Sequence, residues 1–200
     1  MGKLFGPTHY TEHDLKEEGF RALGSNVRIA RNCTVVGAEN ISIGNNVRID
    51  GYSTIIATGD GYVTLGSNIH IGGHCTILAG KGFVMNDFST LSWGVRVFTQ
   101  TDDFSGTFMT NPTVPSQYTN VYGGLVTLGR HSVIGAGCVI LPNINIPEGV
   151  AVGALSLLNQ DLVKWSIYAG IPAKIIKKRS SELLSYEQDF IAEKSESDRA

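Results

Sequence analysis

An aliphatic side chain returns every six residues along most of this chain, and no other feature narrows its fold as much. Leu23, Ile29 and Val35 are followed, after a step of eight, by Ile43, Ile49 and Ile55. After a step of ten come Leu65, Ile71 and Ile77, and after eight more Met85, Leu91 and Val97. The period resumes at Leu128 and continues through Ile134, Ile140, Ile146, Val152 and Leu158. A helix of 3.6 residues per turn cannot keep every sixth residue inward over such a length. A short strand ending in a bend can, because alternate strand residues point in and the bend residue points in again. Three such strands close a triangular turn of about 18 residues, and turns stack by parallel pairing at about 4.8 Å.

The interruptions obey the same frame. The extra residues fall in the third strand of each turn, at Glu39, Gly59 and Lys81, and then in the long stretch from Asp103 to Thr127. All four therefore bulge from one corner of the prism. One repeat cannot bury its own core, so about six stacked turns are expected. The ends differ in kind. Residues 1–22 form an N-terminal segment with a short helix capped by Thr11 and Asp14. Residues 23–163 form the β-helix, with 103–127 protruding. Residues 164–200 form a coil and a helix over 180–193, and the polar last residues fray.

Composition removes several classes of function. The 200 residues are 42% hydrophobic with a net charge of -2, which argues against a nucleic acid or an acidic membrane as the main partner. No apolar run reaches the 18 residues of a membrane span. The start, MGKLFGPTHYTEHDL, lacks the apolar stretch of a signal peptide. Cys33, Cys75 and Cys138 cannot all pair within the chain, so a reduced, cytoplasmic setting is the expectation. Each of the three sits where the repeat points inward, as a small core residue.

The pattern [LIV]-G-x-x-[STCV]-x, the loop TDDFSGTFMTNPTVP and the closing YAGIPAKII resemble the hexapeptide-repeat acyltransferases. Among them the likeness is to bacterial sugar acetyltransferases of the galactoside, maltose and O-antigen type. It covers about residues 23–178. It implies a left-handed parallel β-helix, a homotrimer, and acetyl-CoA as the acyl donor with no metal required.

His70 and His74 stand four apart, the spacing of a metal pair on a helix. On this backbone both instead point outward. Counting equivalent positions, His70 has Arg48 one turn below and Thr90 one turn above, with Asp50 diagonal to its ring. Asp50 is expected to orient that ring, and Arg48 to disfavour its protonated form. His74 stacks between Tyr52 and Gly94. His131, His9 and His13 show no constellation and read as surface.

The resemblance supplies the remaining assignments. Where the galactoside and maltose enzymes carry a catalytic histidine, this chain carries Asp102, within VRVFTQTDD. His70 is then the preferred general base, with Asp102 and Asp103 binding and orienting the acceptor. Asp102 itself or His74 are the alternatives for the base. Ala136 and Ala154 match positions whose backbone amides meet the arm of CoA. Asn159 and Lys174 match positions near the cofactor, although Asn159–Gln160 stands where relatives often have Thr-Lys.

These readings predict O-acetylation of a sugar in surface polysaccharide synthesis, by direct attack on the thioester. The alternative is N-acetylation of a nucleotide-linked amino sugar, which tolerates a weaker base. Two other classes remain: a metal enzyme of the γ-carbonic anhydrase kind, for which a third histidine is lacking, and a non-catalytic trimeric spacer.

Overall fold

The computed structural model describes residues 9–197. Three parallel sheets form the faces of a triangular solenoid. The first face runs from Ala22–Leu23 through Ile41–Ile43, Val63–Leu65, Phe83–Met85 and Val126–Leu128 to Asn145–Ile146. The third runs from Thr34–Val36 through Thr54–Ile56, Thr76–Leu78, Arg96–Phe98 and Val139–Ile140 to Leu157–Leu158. Between them in sequence, the second face carries Arg28–Ile29, Val47–Ile49, Ile69–Ile71, Thr90–Leu91, Val133–Ile134 and Ala151–Val152.

The register is that of the six-residue period. Ile29 pairs with Ile49, Ile49 with Ile71, Ile71 with Leu91, Leu91 with Ile134 and Ile134 with Val152. Columns of identical depth result, and the periodic residues from Ile43 to Leu158 are almost all fully buried in one continuous core. Cys75 and Cys138 lie inside it and Cys33 is half-buried at its N-terminal end. Burial pushes all three thiols up, that of Cys75 to about 11.

The insertions leave from the corner between the third face and the next first face. There the chain makes a turn of 3-10 helix at Ala38–Asn40 and, at greatest length, the loop between Phe98 and Val126. That loop is clamped at its base, where Gln100–Thr101 pairs antiparallel with Tyr122–Gly123.

Both ends are closed. Helix α1 (Glu12–Glu17) has the expected capping box between Thr11 and Asp14 and buries Leu15 against the first turn. The stretch after residue 164, expected as coil, instead adds two strands to the second face. Ser166–Ala169 continues it in parallel, and Lys174–Lys178 returns antiparallel. Helix α2 (Leu183–Ser197) extends past the predicted end of the helix, through part of the tail expected to fray. Lys and Glu there are good helix formers. The rest of that tail, residues 198–200, and residues 1–8 of the N-terminal segment lie outside the described residues.

His131 departs from its expected surface position. Its side chain is only 9% exposed, its Nε2 lies 2.9 Å from Glu187 Oε2 of α2, and its ring stacks on Phe88 at 5.1 Å. The repeat placed His131 outward correctly, but α2 folds over that outward side.

Candidate active site

The corner between the second and third faces holds most of the polar chemistry. Its backbone ladder continues from strand to strand: Asp50 N–H donates to Ile71, Gly72 to Leu91, Ser92 to Ile134 and Gly135 to Val152. Asp50, Gly72, Ser92 and Gly135 therefore stack on successive turns. A side chain at Gly72 would place its Cβ 2.8 Å from the Trp93 nitrogen, so the turns approach closely only because the column is small.

His70 projects from the second face toward this corner. Its Nε2 lies 2.8 Å from Asp50 Oδ2, and Arg48 Nε donates to Asp50 Oδ1 at 2.7 Å. Burial pushes the Asp50 carboxyl up, but the hydrogen bonds from His70 and Arg48 and the Arg48 charge outweigh it and hold the pKa below 3.8. Asp50 thus orients the imidazole as the register predicts, leaving Nδ1 directed away from the carboxylate. Arg48 turns its charge onto Asp50, not onto the His70 ring as first expected.

His74 occupies the bend, with φ 59°, below Gly94, whose φ of 70° marks the same left-handed bend one turn on. Its ring stacks on Tyr52 at 4.9 Å and lies 5.8 Å from Trp93, tilted. Tyr52 and Trp93 are well exposed, so the corner carries an aromatic strip. Among the described residues no group of three His, Cys, Asp or Glu side chains could hold a metal ion. His70 is engaged with Asp50, and His74 lies in the ring stack.

Further along the same corner, Ala136 and Ala154 are exposed on consecutive turns, and the Ala136 carbonyl accepts from Leu155 N–H. The N–H groups of Trp93, Ala136 and Ala154 have no protein partner among the described residues. They form a row of free donors spaced by one turn. Asn159 and Lys174 are exposed beyond it, toward the closing strands. Lys177 and Lys178 follow Lys174 on its strand.

Asp102 is not at this corner. It stands at the root of the long loop, half-buried, where its Oδ2 accepts from Asn111 N–H at 3.3 Å. It lines a cavity of about 670 Å³ between the loop and the third face, with Leu78, Gln100, Thr101 and Asn111. Such a volume suits a sugar-sized ligand. Asn111 and Gln100 had no signal in the sequence, because only the fold of the loop brings them to Asp102. Asp103 is turned into its own loop. It accepts from the Ser105 hydroxyl at 2.9 and 2.8 Å and from Phe108 N–H at 3.2 Å, and the Ser105 hydroxyl foremost holds its pKa low. Within one chain, then, His70 with Asp50 and Asp102 with its cavity belong to different corners.

No family model matches the chain. Over 180 residues it is 42% identical to the dTDP-4-amino-4,6-dideoxy-D-glucose acyltransferase of Escherichia coli, covering 90% of this chain and 93% of that one. The chain belongs to the hexapeptide-repeat sugar acyltransferases. This acyltransferase also superposes on AntD, an N-acyltransferase from Bacillus cereus solved with dTDP and 3-hydroxybutyryl-CoA. The TM-score is 0.90 and the identity 38%, over 94% of this chain and 99% of AntD. A shorter match, 32% identical over 93 residues, covers 44% of this acyltransferase and 47% of WbbJ of Escherichia coli K12, which is named for O-acetyl transfer in lipopolysaccharide biosynthesis. The row of free backbone N–H groups at Trp93, Ala136 and Ala154 would suit the amide-bearing arm of a CoA thioester such as the one bound by AntD.

Proposed function

We propose that the enzyme transfers an acyl group from CoA to the amino group of a nucleotide-linked amino sugar. The observation that carries this reading is the 42% identity, over nearly the whole chain, to an enzyme named for a dTDP-linked 4-amino sugar. O-acetylation, the first expectation, is the second reading, favoured by the shorter match to WbbJ.

The residues support the amine. AntD was solved with substitutions at an aspartate and at a serine ten residues before it, in complexes with CoA and dTDP or its 4-amino sugar. In this chain Ser92 and Asp102 are the only Ser–Asp pair at that spacing. Asp102 also replaces the histidine expected for hydroxyl acceptors. A carboxylate is a weaker base than an imidazole for a hydroxyl but suffices to hold an ammonium group and take its proton. The neutral amine then attacks the thioester carbon, the carbon–sulfur bond breaks, and the CoA thiolate leaves to be protonated. Backbone N–H groups at Trp93 or Ala136 stabilise the oxyanion. His70, held by Asp50, takes the second proton as the tetrahedral intermediate collapses.

Asp102 and Ser92 stand at different corners, so a shared site combines two chains. The loop bears exposed Phe104, Phe108, Met109 and Tyr122, an apolar surface suited to a neighbouring copy. A homotrimer in the cytoplasm, feeding surface polysaccharide synthesis, completes this reading.

The test is thiol release from acetyl-CoA with dTDP-4-amino-4,6-dideoxyglucose beside dTDP-glucose, maltose and a galactoside, with product mass as the second readout. The expected product is an amide formed from the amino sugar alone. Turnover of the hydroxyl acceptors without the amino sugar would restore O-acetylation.

A further inference from the structure

Arg28 and Arg48 are direct neighbours in the parallel register of the second face. Both are exposed on its outer side, and His70 follows Arg48 in the same column. Like charges placed opposite each other on adjacent strands destabilise a sheet. Among the described residues Asp50, from the adjacent column, is the one carboxylate bonded to this column, and it takes only Arg48 Nε and His70 Nε2. Arg28 has no polar partner among the described residues, and the two terminal nitrogens of Arg48 have none either. Two arginines paired in register, with Arg28 and the terminal nitrogens of Arg48 unused, form a site for an anion that accepts from both.

Its position fits one part of the proposed acceptor. Ser92 lies two turns above Arg48, roughly 10 Å along the solenoid axis at one strand spacing per turn. That is comparable to the span from the amino group of an extended hexose, across the ring, to the phosphate on its anomeric carbon. The exposed Trp93 and His74 rings lie between the two levels. The donor's row of free N–H groups runs the other way, from Trp93 through Ala136 to Ala154, so its phosphates lie away from this pair.

We infer that Arg28 and Arg48 bind the diphosphate of the nucleotide-linked acceptor. This rests on the amino-sugar reading above and names the element that selects a nucleotide-linked sugar over a free one.

Calorimetric titration of the full-length enzyme with dTDP, and separately with CoA, tests it. Arg28→Ala is the informative variant because Arg28 has no hydrogen bond or ion pair of its side chain among the described residues to lose. It is expected to raise the Kd for dTDP about tenfold, as loss of a charge-assisted contact does, and to leave the Kd for CoA unchanged. Arg28→Lys recovers part of the affinity, and with the amino-sugar substrate the loss falls on KM more than on kcat. A dTDP affinity unchanged in both Arg28→Ala and Arg48→Ala overturns the inference while leaving the amino-sugar reading intact. An enzyme that acylates free sugars and binds no dTDP overturns both.

Discussion

Asp50 shows how a single position on a repeating backbone acquires a role. It is the first residue after its strand, where other turns carry Gly72, Ser92 or Gly135, and it meets Arg48 on one oxygen and His70 on the other. The contact with His70 was legible in the sequence, because the period of six fixes which outward residues are neighbours, whereas the turn of Arg48 onto Asp50 was not. Residue environments that depend on distant segments were not. Asp103 and Asp102 are adjacent, yet one is spent on Ser105 and Phe108 while the other lines a cavity, and nothing in TDDFSG distinguishes them. Asp102→Asn keeps the size of the side chain but cannot take a proton. It should lower kcat at least tenfold while leaving CoA affinity unchanged, read by steady-state rates and CoA titration. The cysteines give a prediction of another kind. The Cys75 thiol has an ordinary pKa of 9.0, and burial raises it to about 11. Between those values the unfolded chain loses the proton and the folded one keeps it. The contribution is therefore complete below pH 9 and disappears as pH rises to about 11. Urea midpoints from pH 8 to 11 should fall more steeply for the wild type than for Cys75→Ala.

At the scale of elements, the strands are the part the sequence specifies most strongly. A slip of one residue would turn every periodic side chain outward, so register and core are one decision. The attachments follow weaker rules. The closing segment forms two strands because Ser166–Ala169 can extend the second face in register with Ala151 and Val152. No aliphatic period announces its partner Lys174–Lys178, all five residues of which are exposed. Helix α2 is anchored by Glu187, which takes both Arg130 and His131, and by Phe190 set edge-on to Phe88. Loss of the carboxylate leaves the His131 nitrogen without its partner at a site only 9% exposed. Glu187→Ala should cost about 1–3 kcal/mol in the docking of α2. Hydrogen exchange is the suitable measurement, since local opening would speed exchange in α2 while the solenoid amides keep their protection. Equal acceleration in both would mean that the helix and the solenoid unfold as one unit.

The whole molecule separates what chemistry must bring together. A solenoid fixes each side chain at a corner and a level, and a single chain cannot fold its third-face corner onto the corner between its second and third faces. His70 with Asp50 occupies one, and Asp102 with its cavity the other. If both act on one acceptor, as proposed, each complete site takes one set from each of two chains. The exposed apolar residues of the loop, Phe104 at 90% exposure among them, give a physical reason for a second copy to sit there. Two variants impaired at opposite corners, His70→Ala and Asp102→Asn, then make a decisive pair. Refolded separately, each remains impaired. Refolded together from equal amounts, chains assemble at random, and in a ring each boundary has about one chance in four of joining an intact His70 to an intact Asp102. The mixture should recover about a quarter of wild-type turnover. Recovery requires exchange of chains, so mixing the two folded oligomers without denaturation is the control and should give none. If co-refolding also gives none, while each variant alone retains wild-type size in solution, both groups act within one chain and the two-chain site is wrong.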